Sequence, residues 1–379
     1  MRNFQPTSAK QTRIRRVSRT LPTVKWSRLS VALGTTLALT ACDTASTPPA
    51  HSATVAASRS PAGAAEITLA FAGDVQFADR TARLLSNPAT AFGAISSTLS
   101  AADVAMVNLE TAVTTRGTPE PKQFHFRAPV SAYDALKAAG IDVVTIANNH
   151  TLDYGRVGLA DTVDAAKAAR FPTVGAGDNA AAAFAPWITE IRGTKIAFLG
   201  FSQVFELWTS WKATDNQAGI AMARDLPRAV AAVQAARKQA DVVVVYMHWG
   251  QEGDSCPTAE ARALAGELAT AGANIIVGAH AHLLLGDGRI GNTFVQYGLG
   301  NFLWRSDDAY SNDTGVLKVA LHGSAVEKAE LVPALISRQT GQPELARGKD
   351  ATRISQKYNN LRACAGLAAT GSASAQPGG

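Results

Sequence analysis

The sequence predicts an α/β protein whose strands are buried on both faces, on three observations. Short β-rich runs are nearly continuous in apolar residues rather than alternating. Each run ends in a cluster of Gly, Asn, His or Asp, and an Ala-rich stretch with apolar residues at helical spacing follows. The composition agrees: at 46% hydrophobic residues the chain can bury a sizeable core, which excludes global disorder. No apolar run reaches the roughly 18–20 residues of a spanning helix, which excludes a multi-pass membrane protein. A length of 379 residues admits one large or two medium domains, and three cysteines cannot form a dense disulfide scaffold.

Taken in chain order, the first segment is a leader. Met1 to Ala41 hold eight of the 36 Lys and Arg residues and no acid, so 28 basic residues face 30 acidic ones in the rest, a net −2. The formal +6 of the whole chain therefore belongs to the leader, and no basic surface for nucleic acid is implied. The charged start followed by apolar Leu29–Ala41 reads as a signal peptide over 1–41. Leu39-Thr40-Ala41-Cys42 looks like a bacterial lipobox, which implies lipidation of Cys42 and an extracytoplasmic protein anchored to the cell membrane. A plain secretory signal with an incidental cysteine is the alternative. Residues 42–65, rich in Ala, Ser, Thr and Pro, read as a flexible tether. With Cys42 lipidated, Cys256 and Cys364 form an even pair in an oxidising compartment. They are expected to make one disulfide, with two buried free thiols as the other reading.

The folded part begins at Glu66. Strands are expected at 67–71, 104–107, 142–146, 196–199, 241–246, 275–277 and 294–297, and helices at 132–139, 159–169, 227–239 and 258–271, with Gly140 and Gly272 as stops. The pattern weakens after Val326. The expected organisation is one main domain over 66–325, a C-terminal extension packed on it over 326–369, and a disordered end at 370–379.

The polar clusters fall at the carboxyl ends of successive strands, where α/β sheets bind ligands. They supply Asp74, then Asn108 and Glu110, then Asn148, Asn149, His150 and Asp153, then His248 and Glu252, then His280 and His282, then Asn301. Imidazole, carboxylate and amide oxygen together suit Mn, Fe or Zn as one or two divalent ions, and no cysteine competes. His-X-His after a strand is expected to aim both imidazoles to one side, and one carboxylate bridging two cations would complete a two-metal site. A strand-end Asp or Asn alone is usually a cap, and a lone His usually structural; their convergence is what favours a shared site. Asp153 and Glu252 are either acid/base groups or, preferably, partners that orient the histidines. Arg80 and Arg127 could hold an anionic substrate, with a surface salt bridge as the commoner role. Phe205, Trp208 and Trp211 read as core or loop anchors before a cleft rim.

In that order, GDVQ, NLE, ANNHTLDYG, HWGQE, GAHAH and GLGNF resemble the CapA family of poly-γ-glutamate capsule synthesis proteins, within the calcineurin-like metallophosphoesterase superfamily; FHFRAP at 124–129 is similar to a further family segment. The resemblance covers about Ile67 to Trp304. It implies a four-layer α/β/β/α sandwich with Asp74, Glu110, Asn149, His150, His248, His280 and His282 as metal ligands, and a hydrolase-type reaction assisted by His150 or His248. It also implies an anionic envelope polymer as substrate, with polymer-synthesis subunits as partners. Two departures from active phosphoesterases stand out: Gln76 occupies the histidine position of the first motif, and Asn-Leu-Glu replaces an Asp-bearing second motif. The competing reading is a non-catalytic assembly or export subunit that binds the polymer on the same fold.

Overall fold

The computed structural model describes residues 66–369. The leader, the tether with Cys42 and the segment 370–379 lie outside the described residues. The chain first lays down four parallel strands in spatial order: β1 (Ile67–Val75), β2 (Val104–Leu109), β3 (Val143–Thr145) and β4 (Thr173–Val174). Helix α1 (Ser131–Ala138) precedes β3 and α2 (Gly155–Ala169) precedes β4. The chain then builds a second sheet. Strands β5 (Trp187–Ile191) and β6 (Thr194–Ser202) form a hairpin, and α3 (Leu226–Arg237), β7 (Val242–His248), α4 (Ala259–Ala271) and β8 (Ile275–Ala279) follow. A second hairpin of β9 (Asp287–Ile290) and β10 (Thr293–Gln296) completes the order β9-β10-β8-β7-β6-β5.

The chain returns to the first sheet with β11 (Asn301–Leu303), parallel to the end of β1. An antiparallel meander follows: β12 (Asp313–His322), β13 (Ala325–Ile336) and β14 (Pro343–Leu345), with β12 against β1. Helix α5 (Gly348–Ala365) ends the described fold. The boundary expected at 325/326 falls within β13, which pairs with β12 over the strand's whole length, so this segment is part of the sheet rather than packed upon it. Its charges, as in Val-Glu-Lys-Ala-Glu-Leu, weaken the apolar pattern because much of the strand faces solvent.

Alternation of side chains sets the layers. Leu69, Phe71, Met106 and Val143 meet Phe198, Val244, Tyr246 and Val277 between the sheets. The opposite face of the first sheet, with Ala70, Val107 and Val144, packs under Ala132 and Leu136 of α1 and Ala166 of α2. The far face of the second sheet, with Val243 and Val245, packs under Val233 of α3 and Leu264 and Leu268 of α4. The result is the four-layer α/β/β/α sandwich, and burial of the central strands on both faces is why their sequences do not alternate. Each such Val, Leu or Phe contributes roughly 1.5–3 kcal/mol. Helix α4 starts at Thr258, whose side chain accepts from Ala261 N, and stops at Gly272 with φ +111, a left-handed cap that favours glycine.

Helix α5 seals one edge of the sandwich. Ile354 and Tyr358 enter the inter-sheet core. Arg362 pairs with Asp287 of β9, and Arg353 and Lys357 pair with Asp313 of β12 at 2.7 and 2.8 Å. A disulfide joins Cys364 to Cys256, in the loop between β7 and α4, with Cα atoms 5.6 Å apart.

Candidate metal centre

The carboxyl ends of the parallel strands from both sheets converge. Asp74 and Asn108 are register partners on β1 and β2, and Asn108 Nδ2 donates to Asp74 Oδ1 at 2.8 Å. Asn301 is the register partner of Asp74 on its other side. That close approach requires Gly73, because a Cβ there would lie 1.8 Å from the Gly300 carbonyl oxygen. Asn148 ties the next loop to this row: its Nδ2 donates to Asn108 Oδ1 at 3.0 Å and to the Leu109 carbonyl at 2.9 Å. Its own Oδ1 accepts from His150 N and Thr151 Oγ1, both at 3.0 Å, closing a tight turn.

The second sheet supplies imidazoles. His248, at the end of β7, has both ring nitrogens engaged. Its Nδ1 lies 3.2 Å from Asn108 Nδ2, and its Nε2 lies 2.8 Å from Asn149 Oδ1 and 3.1 Å from His280 Nδ1. His282 Nδ1 lies 3.2 Å from Asp74 Oδ2. His280 and His282 converge for a different reason than strand alternation. Strand β8 ends at Ala279, and both histidines adopt left-handed backbone angles, φ +92 and +58. Such conformations cost of order 1–3 kcal/mol each in a non-glycine residue and persist where surrounding contacts impose them. Here His280 N donates to Asp74 Oδ2 at 3.3 Å.

At the middle stands Glu110. It is fully buried, and neither carboxylate oxygen has a hydrogen-bond partner within the described structure. Its Oε1 lies 3.4 Å from His248 Nε2 and 3.9 Å from His150 Nε2. Two groups of ligand atoms, each lying within 4.8 Å of one another, can be drawn: Glu110 with His248 and His280, and Glu110 with Asp74 and His282. One carboxylate belongs to both. This donor set of buried imidazole and carboxylate with an orphaned central acid fits divalent cations.

Charges follow from burial and neighbours. Burial, then the Asp74 charge, pushes the Glu110 carboxyl well above the ordinary range. Burial would also raise Asp74, but the His282 hydrogen bond and the adjacent imidazoles outweigh it and leave the carboxyl below its usual value. Burial drives His248 down to about 4, and drives His150 and His280 well below the imidazole norm. His282 goes the other way: burial opposes its protonation, yet the Asp74 hydrogen bond and the Glu110 charge hold it at about 9. Burial thus favours the neutral forms of Glu110, His150, His248 and His280 in the metal-free centre, whereas Asp74 and His282 are held toward their charged forms by each other.

Residues 68–306 match the family described as bacterial capsule synthesis protein PGA_cap, well over half of the chain. The chain belongs to that family. It is 34% identical over 226 residues to the capsule biosynthesis protein CapA of Bacillus anthracis, covering 59% of this chain and 54% of that protein. It is 32% identical over 223 residues to the PGA biosynthesis protein CapA of Bacillus subtilis, covering 59% and 58%. The chain thus spans little more than half the length of these curated relatives. Among solved structures, a putative 5'-nucleotidase from Staphylococcus aureus aligns with a TM-score of 0.47 at 15% identity, over 78% of this chain and 58% of that one.

The seven residues that the family resemblance marks as ligands are all drawn into this one network. The others divide. Asp153 orients His150, with Oδ2 2.7 Å from Nδ1, and the ring also stacks on Phe126 at 4.0 Å. Glu252 is 56% exposed, 4.0 Å from His282 Nε2, at the edge of an open cleft of about 590 Å³ that reaches Asn149 and His280. Asn301 and Gln76 are fully buried with neither amide atom bonded within the described structure. Arg80 does not face the centre as an anion holder: its guanidinium donates to the carbonyls of Trp304, Ser306 and Arg338, bracing a loop. Arg127 lies over the Tyr154 ring at 4.0 Å. Trp211 is a core anchor beside Leu152, Leu159 and Ile220, whereas Phe205 is 68% exposed on the cleft wall.

Two residues escaped the sequence reading. Lys122 buries its ammonium against Asp153 Oδ1 at 3.0 Å and Glu206 Oε2 at 3.1 Å, and donates to the Asn149 carbonyl. Glu206 also accepts from Asn149 Nδ2 at 3.4 Å. A single lysine in a Pro-rich loop and a glutamate among aromatics carry no spacing signal.

Proposed function

We propose that this chain is a lipid-anchored, extracytoplasmic member of its family that acts in the biosynthesis of an envelope polymer of poly-γ-glutamate type, through a metal-dependent hydrolase-type site. The observation that carries the reading is Glu110, an orphaned, fully buried carboxylate common to two groups of ligand atoms. The names of the curated relatives support the polymer connection, and the lipobox-like Leu39-Thr40-Ala41-Cys42 supports the anchor.

Asp74, Glu110 and His282 would hold one cation, and Glu110, His248 and His280 the other, with Asn149 Oδ1 beside the second. Divalent cations there supply Lewis acidity toward a carbonyl or phosphoryl oxygen. The protein contributes orientation and protonation state. Asp153 fixes the His150 ring so that its Nε2 faces Glu110, which makes His150 the better placed of the two candidate proton-transfer groups. His248 is enclosed with both nitrogens engaged and is suited to ligation.

The cleft places constraints on the substrate. Its wall carries Glu206, Glu252 and Glu260 against the guanidinium of Arg224, which lies 4.8 Å over the Phe205 ring. A polyanion would therefore approach through the cation site and its own amide groups rather than along a basic groove. The test is deletion of the gene with complementation. Wild type restores the envelope polymer, while folded Asp74→Ala and His150→Ala proteins do not. Full restoration by both variants would overturn the metal-dependent site and leave an assembly subunit.

A further inference from the structure

We infer that Lys122 is the positioning residue of the Asn149–His150 pair, holding two residues of the centre from a loop outside the strand-end polar clusters. The inference rests on the metal-centre reading above. The lysine side chain is 2% exposed, and its ammonium meets Asp153, Glu206 and the Asn149 carbonyl and lies 3.4 Å from His150 Nδ1. Through Asp153 it acts on His150: one carboxylate oxygen meets Lys122 at 3.0 Å and the other meets His150 Nδ1 at 2.7 Å. Through the Asn149 carbonyl and through Glu206, which accepts from Asn149 Nδ2, it fixes both the backbone and the amide plane of Asn149. That amide plane sets the Oδ1 position, 2.8 Å from His248 Nε2.

A buried ammonium needs acceptors for all three of its N–H groups, so the number of partners does not separate a structural from a positioning role, whereas their identity does. Here the same ammonium meets two carboxylates and a carbonyl, and each acceptor belongs to a residue that contacts or carries a ligand candidate. The Trp211 ring, 5.2 Å from Nζ, covers the ammonium on another side. Removing such outer partners of ligating residues typically lowers metal affinity about 10–100-fold.

The experiment compares wild type with Lys122→Met and Glu206→Gln by calorimetric titration of Mn²⁺ and by histidine side-chain ¹⁵N spectra of the metal-free proteins. Lys122→Met should weaken Mn²⁺ binding about 10–100-fold. It should also shift the His150 and His248 resonances while leaving exposed His322 in place. Glu206→Gln removes one contact from a 40% exposed side chain and should give a smaller loss of the same sign, which preserves the test if Lys122→Met does not fold. Variants that bind Mn²⁺ as tightly as wild type, with unmoved His150 and His248 signals, would reduce Lys122 to a structural ion pair. A wild type that binds none of Mn²⁺, Fe²⁺ and Zn²⁺ would defeat the metal-centre reading instead. The His248 signal would then decide the lysine, because His150 lies beside the ammonium whereas His248 is reached only through Asn149: movement of His248 upholds its role, and no movement overturns it.

Discussion

Asp287 and Asp313, beneath the C-terminal helix, are nearly as buried as Glu110 at the strand ends, yet the protein treats the two regions in opposite ways. Under α5 each acid meets a base: Arg362 for Asp287, and Arg353 with Lys357 for Asp313. Burial would raise the Asp313 carboxyl, but those partners outweigh it and hold it below the usual range. At the strand ends Glu110 has no hydrogen-bonding partner, its neighbour Asp74 repels it, and the amides of Gln76 and Asn301 go unbonded within the described structure. One region uses buried charge to fasten an edge of the sandwich. The other leaves a buried carboxyl and two amides without hydrogen-bond partners, which lowers stability and creates a seat for cations.

The comparison is broken most severely at Glu110. Glu110→Leu should lower divalent-cation affinity by on the order of 10³-fold, more than loss of an outer partner would, as read by calorimetry. The same variant should stabilise the metal-free protein by about 1–3 kcal/mol, since an unsatisfied buried carboxylate is removed; urea unfolding in chelator measures this. At the other region the signs reverse. Arg362→Met strands a buried Asp287 and should cost about 2 kcal/mol, discounted for the partial exposure of the guanidinium, with cation affinity unchanged.

Acidity sharpens the contrast. Burial favours the protonated form of Glu110 and the Asp74 hydrogen bond raises His282 to about 9, and a cation must displace the protons held there. Groups with raised pKa lose those protons only as pH rises, so cation affinity should climb from pH 6 toward 9, about tenfold per unit for each proton released. Mn²⁺ titrations at pH 6, 7 and 8 would show it, and a flat profile would place the ion elsewhere. The smallest expected effect is at Asn301. Asn301→Leu should raise metal-free stability by about 1 kcal/mol, by urea unfolding, whereas a loss would show that its amide is satisfied by bound water.

The parallel core was legible because strands buried on both faces leave continuous apolar runs, and the helix stop at Gly272 because a left-handed cap favours glycine. Strands β5, β9, β12 and β13 were not legible: β5 and β9 are short hairpin strands at the edges of the second sheet, β13 is half-exposed with charges that mask the pattern, and β12, though buried, pairs with β1 from far along the chain. At the centre, the ligand candidates were visible as polar residues recurring at strand ends. Lys122, Glu206 and the left-handed turns at His280 and His282 depend on tertiary contacts that no local spacing records.

The shared role of Glu110 is tested most directly by counting ions. Elemental analysis of the metal-supplemented protein should find two divalent cations per chain in wild type. Asp74→Ala and His280→Ala, each folded, should retain one, and Glu110→Leu should retain none. A wild type without bound metal, or a Glu110→Leu protein that keeps its full complement, would contradict the account.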